Sequence, residues 1–276
     1  MESTEHALGL QHLPGCLALS KWAQWNQNEA DWRLMLEIGH GWGVSLSDGT
    51  LVASTLVLPY GGDFAWVSMV LVHPAHRRKG YATQLLRTAI ADLERRRLTP
   101  ILDATPAGQA VYRQEGFADR WGFKRFFSRE TNRIARVDGT VRPVRDADWK
   151  QILELDREAF GASREPMLRA LHRRLPQAAL IVEGEGFVFG RDGREAAQIG
   201  PLVARDSSSA RALLTGAFCA VRRPLYVDVA DHAPLHDIIE GRAFAFQRPF
   251  MRMLRGTGHA PGKKELTFLV AGPELG

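Results

Sequence analysis

Residues 67–86 narrow the possible folds sharply. They read Val67-Ser68-Met69-Val70-Leu71-Val72-His73-Pro74-Ala75-His76-Arg77-Arg78-Lys79-Gly80-Tyr81-Ala82-Thr83-Gln84-Leu85-Leu86. The apolar start, with its β-branched residues, predicts a buried strand that Pro74 ends. Arg77-Arg78-Lys79-Gly80 makes a cationic turn. Ala82, Leu85, Leu86, Ala89, Ile90 and Leu93 then recur at helical spacing and predict an amphipathic helix. Strand, basic glycine turn and helix N-terminus together form an anion cradle, because the first N–H groups of a helix lack internal partners and its dipole is positive there. Glycine lets the backbone bend and come close to a ligand. A solvated basic turn has the same composition, so the kind of anion has to come from spacing. This loop fits neither the Walker pattern nor the dinucleotide Gly-x-Gly-x-x-Gly.

The 276 residues suffice for one large domain or two of ordinary size. With 45% apolar and 24% charged residues the chain has a globular composition. The net charge of +5 suits an anionic ligand but is too dilute for a nucleic-acid face, so no nucleic-acid partner is expected. Cys16 and Cys219 stand far apart and predict no disulfide framework. Glu2 and Glu5 without an apolar run predict no signal peptide, and no apolar run reaches the ~18 residues of a membrane span. A cytoplasmic protein with no membrane partner is the expectation.

Arg77-x-x-Gly80-x-Ala82 resembles the Arg/Gln-x-x-Gly-x-Gly/Ala loop of the GCN5-related N-acetyltransferase (GNAT) family. The preceding Val72-His73-Pro74-Ala75-His76-Arg77 matches that family's Val-x-Pro-x-x-Arg spacing. A second GNAT signature, Tyr-x-x-x-Gly-Phe, stands at Tyr112-Arg113-Gln114-Glu115-Gly116-Phe117. One helix and one strand fit between Gly80 and Tyr112, which puts the two signatures in the correct order. Trp25-Asn26-Gln27, Asp103-Ala104-Thr105-Pro106-Ala107-Gly108 and Val111-Tyr112 extend the resemblance to tandem GNAT proteins of the YitH type.

The remaining pattern predicts two units, 1–135 and 136–276. In the first, Asn28 caps a helix with Asp31 three residues on, 42–46 and 50–58 form strands around Ser47-Asp48-Gly49, and 100–104 is a short strand. Polar residues 129–138 read as a linker. The second unit repeats the order weakly, with helices at 149–159 and 167–175, strands at 179–183, 186–190 and 197–203, a helix through Leu213, and a strand at 225–229. Asp228 and Phe244 follow Asp103 and Phe117 at nearly equal distances, as a duplication would place them. The second copy lacks the loop signature. It reads Ala204-Arg205-Asp206-Ser207-Ser208-Ser209, where Asp206 would cap a helix but repel a phosphate. No tyrosine precedes Gly241 as Tyr112 precedes Gly116. A last strand at 265–271 has no obvious partner.

The resemblance implies an α/β (α+β) fold of two GNAT-like domains, each a mixed, mostly antiparallel sheet flanked by helices, with a CoA site only in the first. It implies an N-acetyltransferase that moves an acetyl group from acetyl-CoA to the amine of a small-molecule or peptide acceptor in a ternary complex, without a metal. Val70, Leu71, Val72, Arg77, Arg78, Lys79, Gly80, Tyr81, Ala82, Thr83 and Gln109 would bind CoA, and Tyr112 would protonate the leaving thiolate. Trp25, Asn26 and Gln27 would wall the acceptor pocket, or else be core and helix caps. Asp103, His73 and His76 are candidate bases. A non-catalytic acyl-CoA sensor or scaffold would keep the same loop.

Overall fold

The computed structural model describes residues 2–129, 139–222, 224–256 and 258–276. The first half comprises β1 (Ser3–Ala7), α1 (Leu13–Trp22), α2 (Glu29–Ile38), β2 (His40–Leu46), β3 (Leu51–Pro59), β4 (Phe64–Val72), α3 (Tyr81–Arg95), β5 (Thr99–Ala104), α4 (Pro106–Gln114) and β6 (Phe117–Ser128). The second comprises β7 (Val141–Pro143), α5 (Trp149–Phe160), α6 (Glu165–Arg174), β8 (Leu180–Val182), β9 (Gly186–Arg191), β10 (Ala197–Ala204), α7 (Ser207–Ala220), β11 (Leu225–Ala230), α8 (His236–Glu240), β12 (Ala245–Arg255) and β13 (Thr267–Leu269).

Local chemistry sets the helices. The Asp31 N–H donates to Asn28 Oδ1 (3.2 Å), and the Asn28 N–H donates to Asp31 Oδ2 (2.9 Å), closing the capping box at the start of α2. Asp206 caps α7 by accepting from the Ser209 N–H at 2.8 Å. The apolar face of α3 buries Leu85, Leu86, Ala89, Ile90 and Leu93. Most of these pack with Val57, Val67, Leu102, Phe117 and Met253. Each large side chain buried there contributes about 1.5–3 kcal/mol.

The sheet departs from two separate units. The thirteen strands of the described residues form one sheet, in the order β1-β2-β3-β4-β5-β12-β6-β11-β13-β10-β9-β8-β7. Strand β12 of the second half lies between β5 and β6 of the first, antiparallel to both, with Met251 opposite Ala104 and Phe250 opposite Phe123. Strand β6 in turn pairs with β11, Asp228 opposite Arg125. Each half is therefore completed by a strand of the other, the first by β12 and the second by β6. The expected boundary at 135, within the expected linker, lies outside the described residues. The mixed, mostly antiparallel architecture is the one the sequence implied. Strand β12 is an addition, hidden by Pro249 and by arginines that read as surface residues.

Two reciprocal ion pairs clasp the exchanged strands. Arg252 of β12 donates through Nε and Nη2 to the two carboxylate oxygens of Asp103 in β5, both at 2.9 Å. Arg125 of β6 donates to Asp228 of β11 at 2.8 and 2.7 Å. All four side chains are buried. The Arg252 guanidinium also lies over the rings of Trp66 and Trp121, 4.4 and 4.3 Å from their centroids. The main core is common to both halves as well, joining Trp32 and Trp66 to Phe160 and Phe189.

Two pairings, β4–β5 and β10–β11, are parallel, and each lasts three residues before the strands part. Beyond Trp66 and Ile101 the first gap stays open. The second is filled by β13, whose Leu269 pairs with both Leu202 and Val229, and the Val270 N–H donates to the Asp228 carbonyl at 3.1 Å. This supplies the partner of the strand expected at 265–271. The gaps differ at their bulges too. Met69, with φ 51°, sits in the bulge of β4 against β3. The bulge of β10 against β9 holds Gly200 and Pro201, and proline has no N–H to offer. After β13 the chain runs along β4: Trp66 Nε1 donates to the Pro273 carbonyl (3.1 Å), Ser68 Oγ to that of Glu274 (2.9 Å) and the Tyr60 hydroxyl to that of Leu275 (2.9 Å).

Because the halves share strands, they unfold together. Urea denaturation followed by tryptophan fluorescence and far-UV circular dichroism gives one coincident transition. Arg252→Met strands the buried Asp103 carboxylate and lowers stability by about 3–5 kcal/mol. Two separated transitions in the wild type would contradict the interlocked sheet.

Candidate active site

The parting of β4 and β5 creates a cavity of about 290 Å³. Residues 67–70 of β4 form one wall and Leu102, Asp103 and Thr105 the other. Helix α4 contributes Ala107, Gly108, Val111 and Tyr112. Trp25 and Gln27 close one side, and Arg125, Arg248, Phe250, Pro273 and Glu274 close another. A second hollow of about 420 Å³ adjoins it, lined by residues 70–72, His76, Arg77, Arg78 and 80–83. Trp25, Val70, Ala82 and Val111 border both, so the two make one continuous groove.

Backbone conformation prepares both ends. At the inner end, Met69 holds a left-handed conformation that costs a non-glycine residue energy, and Ser54 Oγ anchors it by donating to the Met69 carbonyl at 2.8 Å. At the outer end, Gly80 has φ 85° and caps α3, and a Cβ placed there would meet open space. The first helical bond runs from the Gln84 N–H to the Gly80 carbonyl, so the N–H groups of Tyr81, Ala82 and Thr83 have no partner within the helix. Arg78 also takes a positive φ of 61°. Positive dipole, free N–H groups and two arginines on one hollow suit a pyrophosphate.

Tyr112 is half-buried on the inner cavity, its ring edge-on to Phe117 at 6.0 Å. Burial pushes its phenol up to about 12, so it keeps its proton throughout the physiological range. A Cβ on Gly108 would lie 2.8 Å from the Tyr112 ring, which is why glycine stands one turn earlier. The hydroxyl has no hydrogen-bond partner among the described residues.

Of the three residues expected to wall the acceptor pocket, Trp25 and Gln27 line the cavity and Asn26 does not. The Asn26 amide is consumed between the halves. Its Nδ2 donates to the Ala196 carbonyl (2.9 Å), and its Oδ1 accepts from the N–H groups of Glu195 (2.9 Å) and Ala196 (3.1 Å). Gln27 is buried, and its Oε1 has no partner. Leu71 and Val72 line only the outer hollow, and Lys79 and Gln109 line neither. Asp103 faces the cavity but is committed to Arg252. His73 Nδ1 accepts from the Ala75 N–H, and the ring sits edge-on to Trp22. His76 borders the outer hollow only.

Sequence patterns missed the far wall. Arg125, Arg248, Phe250, Pro273 and Glu274 arrive through the exchanged strands and the closing segment, and no local signal marks a buried arginine among 36 Lys and Arg. Among the described residues, no cluster of His, Cys, Asp or Glu could hold a metal, and no helix is long and apolar enough to cross a membrane.

Two family models match the chain and together span most of it. "Acetyltransferase (GNAT) family" matches residues 11–117 and "Acetyltransferase (GNAT) domain" matches 152–269. The uncharacterized N-acetyltransferase YitH of Bacillus subtilis is 23% identical over 235 residues, covering 82% of each protein. Holothin acyltransferase of a Pseudoalteromonas species is 25% identical over 234 residues, covering 82% of this chain and 78% of that one. A crystal structure from Pyrococcus horikoshii shares the fold at TM-score 0.83 and 23% identity, covering 99% of this chain and 96% of that one.

The position of Asn26 makes it a clasp between halves. Asn26→Ala loses the bonds to 195–196 and lowers stability in urea by about 2–3 kcal/mol. Acyl acceptor KM stays within about twofold of wild type. A raised KM at unchanged stability would return Asn26 to the pocket wall.

Proposed function

We propose that this chain, which belongs to the GNAT family of acetyltransferases, carries the acetyl group of acetyl-CoA to the amine of a small-molecule or peptide acceptor, with a CoA site in its first half alone. One observation carries the reading: the β4–β5 gap is open and continuous with the Gly80 loop, whereas the β10–β11 gap is filled by β13. A Cβ at Gly200 in that second gap would meet the Val270 carbonyl at 2.1 Å.

Acetyl-CoA supplies its acyl group as a thioester. The free N–H groups of Tyr81, Ala82 and Thr83, with Arg77 and Arg78, take the pyrophosphate in the outer hollow. Strand β4, released from β5 after Trp66, has backbone groups left over, and the N–H of Val70 beside the bulge polarises the thioester carbonyl as negative charge develops. The amine forms its bond to the carbonyl carbon as the bond to sulfur breaks. Tyr112 donates to the departing sulfur. Full transfer from a phenol near 12 to a thiolate whose acid has pKa near 8.5 is uphill, so the proton balance closes through the one the amine sheds.

Calorimetric titration with acetyl-CoA gives one site per chain, and Gly80→Asp abolishes it by placing a side chain and a like charge at a left-handed position. Two sites would sink the claim for the second half. Tyr112→Phe lowers kcat roughly 10–1000-fold with CoA affinity unchanged. An unaltered kcat on an acceptor that is turned over would leave Tyr112 as packing only.

A further inference from the structure

We infer that the acceptor amine carries a carboxylate, and that Arg248 holds it at the end of the cavity supplied by β12. This rests on the acyl-transfer reading above. Arg248 stands directly opposite Arg125 across the β6–β12 ladder. Like charges directly opposite destabilise a strand pair unless something compensates them. The carboxylate bonded at this pair is Asp228, and Arg125 takes it. Asp228 accepts from Arg125 through both oxygens, and Oδ2 also accepts from Gln198 Nε2 at 2.6 Å. Arg248 is half-buried, borders the cavity and makes no hydrogen bond or ion pair among the described residues. Burial and the neighbouring Arg125 pull it below the usual arginine range. A register shift lies just before it, between Phe246 and Arg248, as bulges that re-aim a side chain beside a site do.

The opposite charge sits elsewhere on the same wall. Arg174 and Arg191 are paired with Asp31, Asp192 and Glu274, two cations against three carboxylates. Glu274 ends that network at the cavity. Its Oε1 accepts from Arg191, while its Oε2 is buried with no hydrogen-bond partner among the described residues. Among the described residues the cavity thus presents one unpaired cation at Arg248 and surplus negative charge at Glu274. An amine with one carboxylate matches both: the nitrogen on the Glu274 side, and the planar monoanion in the fork of Arg248. A phosphate dianion would overshoot the single free cation. The volume of about 290 Å³, shared with the acyl group, suits an acceptor of amino-acid size.

The test uses matched acceptors with acetyl-CoA: the free amino acids and their carboxamides, read by release of the CoA thiol. Acids are preferred at least about tenfold in kcat/KM. Arg248→Gln raises KM for the best acid roughly 10–100-fold and shifts its carboxamide far less, and Arg248→Lys restores part of the loss. Unchanged acetyl-CoA affinity by calorimetry shows that each variant is folded. Equal use of acids and carboxamides, or an Arg248→Gln effect alike on both, overturns the inference and leaves acyl transfer standing. Turnover of neither set by a protein that binds acetyl-CoA overturns the inference, and the same silence on amines without a carboxylate and on peptides overturns the acyl-transfer reading as well.

Discussion

Asp103 and Asp228 each grip an arginine from the other half of the chain, and the rest of the molecule follows from that exchange. A buried carboxylate without its guanidinium is costly, so neither half settles without the strand it takes from the other. The register is fixed as firmly as the pairing. Sliding β12 by one residue would turn Arg252 to the opposite face, away from Asp103 and from between Trp66 and Trp121. The same placement carries Arg248 and Phe250 of the second half into the groove of the first.

The two halves hold similar gaps between parallel strands, and small differences make them unlike. One keeps a strained Met69 bulge, a glycine-capped helix and open space. The other has proline at the bulge, aspartate at the cap and a strand of its own chain in the gap. The second half therefore acts on the first as wall. It contributes Arg248, Phe250, Pro273 and Glu274, and Asn26 fastens its 194–196 turn next to Trp25 and Gln27, which line the cleft.

What could be read in advance was what local pattern encodes. Residues 67–86 announce strand, loop and helix because apolar period, proline and glycine act within a few residues of themselves. Asn28 and Asp31 announce a cap for the same reason, although Asp31 is also the buried partner of Arg174 and Arg191, which spacing does not show. The exchange of β6 and β12 depends on pairings between residues far apart, and each half's pattern fits a self-contained sheet equally well. Asn26 looked like a pocket residue because an amide beside a tryptophan suits a ligand and a strand turn alike. The far wall stayed hidden because a buried arginine and an exposed one are written the same way.

Interlocking also sets a timetable. A ribosome releases β5 long before β12, and at roughly 5–20 residues per second the interval is about ten to thirty seconds. Throughout it one edge of β5 is bare, open to any nascent chain nearby. That strand is six residues long and carries Asp103 near its end. Brevity and a misplaced charge are what keep a bare edge from recruiting strangers. The carboxylate that later receives Arg252 thus has an earlier occupation, as a guard on a seam that cannot close until synthesis is nearly complete.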